Sequence, residues 1–264
     1  MGALSFFALQ GICSVTQGMD VGKIVTEAAI SNGVPLQEGD ICVIAHKIVS
    51  KALGRVADFS AISPRPQAQR LSEICGKPAP LLELMLQESE WIAVNEKGAA
   101  ICRNKCGWTC ANAGIDQSNA PEAGRDHAVL LPQDPDAAAR TICDRIRSLT
   151  GHSVAVIISD THGRPLREGI IGIAAGCWGI DPIRSYIGGQ DREGRKLQVS
   201  KEAIADELAA GASLLMGQGD EGVPAVIVRG YPYTFCACGA DGLKRDPSRE
   251  IFRPVCHLEP VEEG

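Results

Sequence analysis

The stretch VAVIISD, residues 154–160, constrains this chain more than any other. Every side chain from Val154 to Ile158 is apolar, so neither face of the segment suits water, yet the run is too short for a buried helix. A strand covered on both faces satisfies both facts, and such strands belong to sheets flanked by helices. It would deliver Asp160 at its exit. Two further runs, ICVIA from Ile41 and VPAVIVRG ending at Gly230, have the same character. The opening MGALSFFALQG reads as another strand, because it carries neither the basic segment nor the small-residue cleavage site of an export signal.

Helical periodicity fills the intervals. From Asp20, apolar residues at Val21, Ile24, Val25, Ala28 and Ala29 line one face, with Asp20 placed to cap the start and Gly33 to end it. The segment DPDAAARTICDRIRSLTG is bounded more clearly still: Asp134 caps, Pro135 takes the first helical position and Gly151 closes the far end. Further helices are expected over 66–75, 80–90 and 200–216, and strands near 91–94 and 99–103. Helices interleaved with buried strands predict an α/β or mixed α+β protein. At 264 residues the chain makes one large domain or two closely packed ones. After Gly230, prolines, cysteines and charges replace the periodic apolar residues, so 231–264 reads as a peripheral tail.

Several function classes fall away. A net charge of −6 with no local basic patch argues against nucleic-acid binding. No run approaches the ~18 apolar residues of a membrane span. Eleven cysteines without an export signal point to free thiols in a reducing cytoplasm. GMDVGKI has the wrong spacing for a P-loop, and neither a dinucleotide fingerprint nor a serine nucleophile elbow occurs. Cys102, Cys106 and Cys110 lack the spacing usual in zinc or iron-sulfur sites. They read as small buried hydrophobes, with a metal-thiolate protein as the alternative from a different class.

Three segments could carry chemistry. NAGIDQSN, residues 112–119, gathers small and polar side chains around Asp116. SDTHGR, residues 159–164, places Asp160, Thr161 and His162 after a buried strand, where ligands usually bind. Two carboxylates and a hydroxyl suit a hard cation such as magnesium or manganese. MGQGDEGVP, residues 216–224, sets three glycines and two acids between a helix and a strand. Glycines let backbone N–H groups approach phosphate oxygens, and Gln218 or Asp220 adds a metal donor. Each segment alone has an ordinary reading: an Asx turn, a solvated loop, a helix cap.

In order, GDICVIAHKIVSKALGR, QESEWIAVNEKG, NAGIDQSN, LLPQDPD, VAVIISDTHGRPLREGIIGIAAG and LLMGQGDEGVPAVIVRG resemble the coenzyme F420 gamma-glutamyl ligases over about residues 9–230. The resemblance implies two intertwined subdomains, neither Rossmann nor P-loop, with a catalytic domain over 5–230. It implies a GTP-dependent ligase that joins L-glutamate to the deazaflavin precursor F420-0 through an acyl phosphate and then extends a gamma-linked glutamate tail. Two magnesium or manganese ions, an optional potassium ion and a homodimer come with it. Carried onto this chain, Asp116 and Asp160 hold one metal, while Thr161 and Gln218 hold the other. Asp116, Asp160 and Lys51 carry the catalysis. GTP contacts are expected from Ile12, Cys13, Ser14, Val15, Lys51, Asn119 and the loop Met216, Gly217, Gln218, Gly219, Asp220, Glu221, Gly222 and Val223.

Departures from the family pattern are the thiols around Trp108, the Cys-rich tail, and His46 and Lys47 where small hydroxyl residues are expected. No nucleotide contact is therefore assigned to His46 or Lys47. A gamma-glutamyl ligase acting on a pterin, folate or furan-type cofactor would keep the same nucleotide and metals.

Overall fold

The computed structural model describes residues 2–118, 126–164, 166–246, 248 and 259–260. The chain opens with β1 (Ser5–Ala8), α1 (Val21–Ser31), β2 (Ile41–Ala45) and α2 (His46–Ala52). Next come β3 (Val56–Asp58), α3 (Pro66–Cys75), α4 (Ala79–Gln87), β4 (Ser89–Val94), β5 (Ala100–Asn104), β6 (Thr109–Ala111) and β7 (His127–Val129). The remainder holds α5 (Pro135–Thr150), β8 (Ala155–Arg164), β9 (Arg167–Ile180), β10 (Arg184–Ser185), β11 (Lys201–Glu202), α6 (Ile204–Met216), β12 (Ala225–Arg229), β13 (Phe235–Cys236) and β14 (Glu259–Pro260).

The three apolar runs become neighbours in one six-stranded sheet, ordered β1-β12-β2-β8-β9-β13. β2 and β8 run parallel, and the other pairs run antiparallel. Alternation along these strands feeds two cores. Ile41, Val43, Ala155, Ile157, Val226 and Val228 pack on α6, while Cys42, Ile44, Val156, Ile158, Ala225 and Ile227 pack on α1, α2 and α5. The helix boundaries follow local chemistry. Asp20 caps α1 by accepting from Lys23 N–H at 2.9 Å, Asp134 caps α5 by accepting from Ala137 N–H at 2.9 Å, and Gly151 ends α5 in the left-handed region. Buried Asp40 takes two bonds from the Arg229 guanidinium, at 2.8 and 2.7 Å, tying β2 to β12.

A second lobe grows from the chain between α2 and α5, with β14 joining its sheet from near the C-terminus. The sheet β14-β4-β5-β6, the ribbon β3-β7 and helices α3 and α4 enclose Phe59, Leu71, Leu82, Met85, Leu86 and Ile92. The protein is thus mixed α/β, with a largely antiparallel main sheet in place of a doubly wound one. Among the described residues no helix is long and apolar enough to cross a membrane.

Two local expectations need correction. β8 does not end at Asp160 but continues to Arg164 and turns back as β9. Its parallel partner β2 stops at the Ala45–Ser159 pair, so burial fades there while pairing to β9 persists. The segment SDTHGR is therefore strand, not loop. Elsewhere α2 follows β2 without an intervening turn and, at seven residues, is too short to announce itself by periodicity. Cys236 and Cys238 are joined as a disulfide, whereas eight other cysteines are free among the described residues.

Strand β9 approaches its helices through glycine. A Cβ on Gly176 would lie 2.6 Å from the Pro135 carbonyl carbon at the start of α5. We expect Gly176→Ala to cost about 1–3 kcal/mol by overpacking, seen as a lower urea midpoint at unchanged slope. An unchanged midpoint would show that α5 can shift freely off the sheet.

Candidate functional site

Where β2 ends and β8 runs on, the two lobes face each other across a crevice with two adjoining cavities. The larger, about 500 Å³, is walled by the segment after β1, by α2 and by the turn that follows α6. The smaller, about 350 Å³, is walled by Lys77, Leu81 and Met85 of the second lobe, by the loop after β6 and by the outer part of β8. Asp116, Ser118, Asp160 and Thr161 line both cavities and form the ridge between them.

Ile12, Cys13, Ser14, Val15, Lys51, Met216, Gly217, Gln218, Gly219, Asp220, Gly222 and Val223 all line the larger cavity. Glu221 does not; its carboxylate folds back to accept from Gly219 N–H at 2.8 Å. Asn119 lies outside the described residues. Gly217 and Gly222 have φ of 68° and 66°, the left-handed conformation that lets this turn reverse within a few residues of α6. Gln218 reaches the ridge, its Nε2 donating to Thr161 Oγ1 at 3.4 Å.

The ridge is an electrostatic cluster. Lys47 Nζ lies 2.7 Å from Asp116 Oδ2 and donates to Ser118 Oγ at 2.7 Å. Burial alone would push the Asp116 carboxyl up, but hydrogen bonds from Lys47 and Ser118 outweigh it and hold the group below the usual carboxylate range. Asp160 sits between two imidazoles, His46 Nε2 at 3.5 Å from Oδ1 and His162 Nε2 at 3.3 Å from Oδ2. Thr161 N–H donates to Asp160 Oδ1 at 2.7 Å. Burial opposes ionisation of Asp160 as well, and the two histidines together with this bond depress its titration. His46 is itself pushed below the usual range by burial, against the pull of Asp160, and among the described residues its Nε2 makes no hydrogen bond. Lys51 is shifted down by burial and by neighbouring Lys47, and among the described residues it has no ion-pair partner.

Carboxylate, hydroxyl and amide oxygens along one ridge are the donor set for a hard divalent cation. Among the described residues, no three or more His, Cys, Asp or Glu side chains converge as a metal cage. The thiols form none either. Cys102 and Cys110 face each other across β5 and β6, while Cys106 Sγ donates to the Pro132 carbonyl. Burial raises the Cys102 thiol to about 11 and pushes Cys106 and Cys110 up as well, so all three stay protonated near neutrality.

Sequence reasoning gave no role to His46 or Lys47, yet both line the larger cavity. The signal was available: Lys47 and Lys51 are four apart, one helical turn, and share a face once α2 is recognised. Lys77 gave no comparable signal, whereas Asn112 was already part of the NAGIDQSN segment.

Comparison with known proteins now bears on this arrangement. Residues 11–230 match the family model described as F420-0:Gamma-glutamyl ligase. The chain belongs to the F420-0:gamma-glutamyl ligase family. A coenzyme F420:L-glutamate ligase of Methanothermobacter thermautotrophicus is 42% identical over 252 residues, covering 95% of this chain and 99% of that protein. Similar proteins of the same name occur in Methanopyrus kandleri, 42% identical over 90% of this chain and 93% of that protein, and in Archaeoglobus fulgidus, 39% over 85% and 86%. The family match spans both lobes and every described residue of the ridge.

Because Lys47 holds Asp116 ionised, Asp116 contributes stability above its unfolded pKa that is lost as pH falls through the lower folded value. We expect Lys47→Met to raise the Asp116 pKa, moving that loss to higher pH. Carboxyl carbon NMR titration of the two proteins checks this, and coincident Asp116 curves would contradict it.

Proposed function

We propose that this family member is a GTP-dependent ligase that joins L-glutamate to the carboxylate of F420-0 and then lengthens a gamma-linked glutamate tail. The observation that carries the proposal is the acidic ridge between two cavities, one of them bordered by a glycine-rich turn and by Lys51, which has no ion-pair partner among the described residues. The relatives named above are called coenzyme F420:L-glutamate ligases, which supports the choice of substrates.

The chemistry follows from the reactants. A carboxylate does not condense with an amine in water unless its oxygen is made a leaving group. In the first step a carboxylate oxygen of the precursor attacks the γ-phosphorus of GTP; the new O–P bond forms as the bond to the leaving GDP oxygen breaks. In the second, the glutamate nitrogen attacks the acyl carbon, inorganic phosphate departs with the C–O bonding pair, and the nitrogen gives up its proton. Both steps depend on positioning and charge stabilisation more than on a covalent nucleophile.

The larger cavity suits the nucleotide. Lys51 supplies a positive charge, and the turn at Gly217, Gly219 and Gly222 keeps side chains out of the way of phosphate oxygens. Asp116 and Asp160 would hold one divalent ion, with Thr161 and Gln218 holding a second; the oxygen donors fit magnesium or manganese. Bound there, such ions would neutralise charge on the transferring phosphoryl group. Lys47 and the two histidines keep the carboxylates ionised and in place.

Exposed Ile170 and Leu214, on β9 and near the end of α6, provide apolar surface for a second copy of the chain. In the proposed homodimer, light scattering reads twice the chain mass, and Leu214→Glu shifts it toward the monomer. A monomeric wild-type protein at micromolar concentration would remove the dimer from the proposal.

The activity is tested by mass spectrometry of F420-0 after incubation with protein, L-glutamate, GTP and magnesium or manganese, omitting each in turn. Glutamyl additions that need all components are expected. Asp116→Asn and Asp160→Asn should each lower turnover at least about 10²–10³-fold while the fold persists by circular dichroism. Near-wild-type turnover in either variant would sink the role assigned to that carboxylate.

A further inference from the structure

The smaller cavity is lined by charges of both signs. Asp116 and Asp160 of the ridge line it, and so does Lys77, from the junction of α3 and α4. Among the described residues Lys77 makes no ion pair, although it is only partly exposed. Its backbone is held firmly. Gly76 closes α3 at φ 72°, Ser72 Oγ donates to the Lys77 carbonyl at 2.7 Å, and Pro78 leads directly into α4. A lysine on a fixed backbone, lining a cavity and without a counter-ion among the described residues, calls for a ligand with an anionic group to meet it.

Size narrows the choice. At about 350 Å³ the cavity lies near the lower end of the roughly 300–1,000 Å³ typical of ligand sites. It has room for an amino acid. Leu81 and Met85 add apolar lining that suits a short methylene chain. A separate observation marks the same wall. Asn112 and Ala113, at φ 52° and 59°, are the non-glycine residues with positive φ among those described, and Asn112 lines this cavity. Backbone held in that region costs about 1–3 kcal/mol per residue and is concentrated where a site must be pre-formed.

We infer that the smaller cavity binds the incoming L-glutamate, with Lys77 anchoring a side-chain or α-carboxylate while the amino group points to the Asp116–Asp160 ridge. The inference rests on the ligase reading and adds to it a separate amino-acid site and the residue that selects for an anionic amino acid. Lys77 is a binding residue here and takes no part in phosphoryl transfer.

The test has two arms. Initial rates measured against L-glutamate, with GTP and F420-0 saturating, should show Lys77→Met raising the KM for glutamate about 10- to 100-fold, with Lys77→Arg recovering most of the loss. The KM for GTP should not move. A change confined to the KM for F420-0, or none at all, would overturn the assignment. In the second arm, L-glutamate is titrated calorimetrically into the protein holding magnesium and guanosine 5′-(β,γ-imido)triphosphate. Wild-type binding that is lost in Lys77→Met supports the site even if no glutamyl product is ever seen, a result that would count only against the ligase reading. Equal binding by wild type and a folded Lys77→Met protein, or none by wild type, would refute the site. Lys77→Gln replaces the Met variant if melting shows that Met disturbs the fold.

Discussion

The parallel pairing of β2 with β8, from Ile41 beside Ala155 to Ala45 beside Ser159, is the constraint on which the site depends. Both strands are buried on both faces, so neither can shift register without driving an aliphatic side chain against the wrong layer. Parallel strands also end at the same edge of the sheet. There the chains part: β2 winds at once into α2, whereas β8 carries on outward with β9 as its remaining partner. The opening between them is the crevice, in the position where ligands settle beyond the carboxyl ends of parallel strands. His46 and Lys47 lie on one side of it and Asp160 on the other because the pairing has just ended.

Into that opening the second lobe delivers Asp116. Its backbone pairs with Val129, outside the main sheet, and its side chain reaches across to Lys47 of α2. An ion pair about one-third exposed contributes little to global stability, on the order of 0–1 kcal/mol. Its consequence is local: it joins the lobes at the ridge and lets a carboxylate stay ionised close to Asp160. Two acids brought together without compensation would raise one another's pKa. Against burial, hydrogen bonds from Lys47 and Ser118 at Asp116, and the flanking histidines with the Thr161 N–H at Asp160, hold both carboxyls below the usual range, and the ridge remains anionic at neutral pH.

Much of the main sheet was legible because burial on both faces leaves no polar position in a strand, and VAVIISD, ICVIA and VPAVIVRG display that rule openly. The helix capped by Asp134 and closed by Gly151 was legible for an equally local reason. The end of β8 was not. Periodicity registers burial, and past Ser159 the strand keeps its hydrogen bonds while losing its apolar cover. β9 was hidden by the glycines that let α5 and α6 approach it, since Gly172 and Gly176 look like turn residues in one dimension. Within the site, residue type revealed Asp116, Asp160 and the glycine-rich turn, but which lobe faced which was a tertiary fact. Lys77 stands well outside the three segments singled out for their chemistry, the nearest of which begins at Asn112, and only the folded second lobe brings it to the cavity.

That lobe holds its position at an energetic cost. Asn112, Ala113 and Gly114 take three successive left-handed conformations just before Asp116, and two of them have side chains that disfavour it. The loop tolerates this because its neighbours leave no relaxed alternative. Ala113 and Ile115 are buried in the core of the second lobe, and Leu131 lies where a side chain on Gly114 would stand. Ile115 N–H closes the turn on the Asn112 carbonyl at 2.9 Å. A looser loop could hold the same residues more cheaply, but the Asp116 carboxylate would then sample positions that Lys47 does not reach. The strain and the ion pair are therefore two parts of one arrangement: the buried alanine and isoleucine fix the direction of the backbone, and Lys47 fixes the carboxylate at its end.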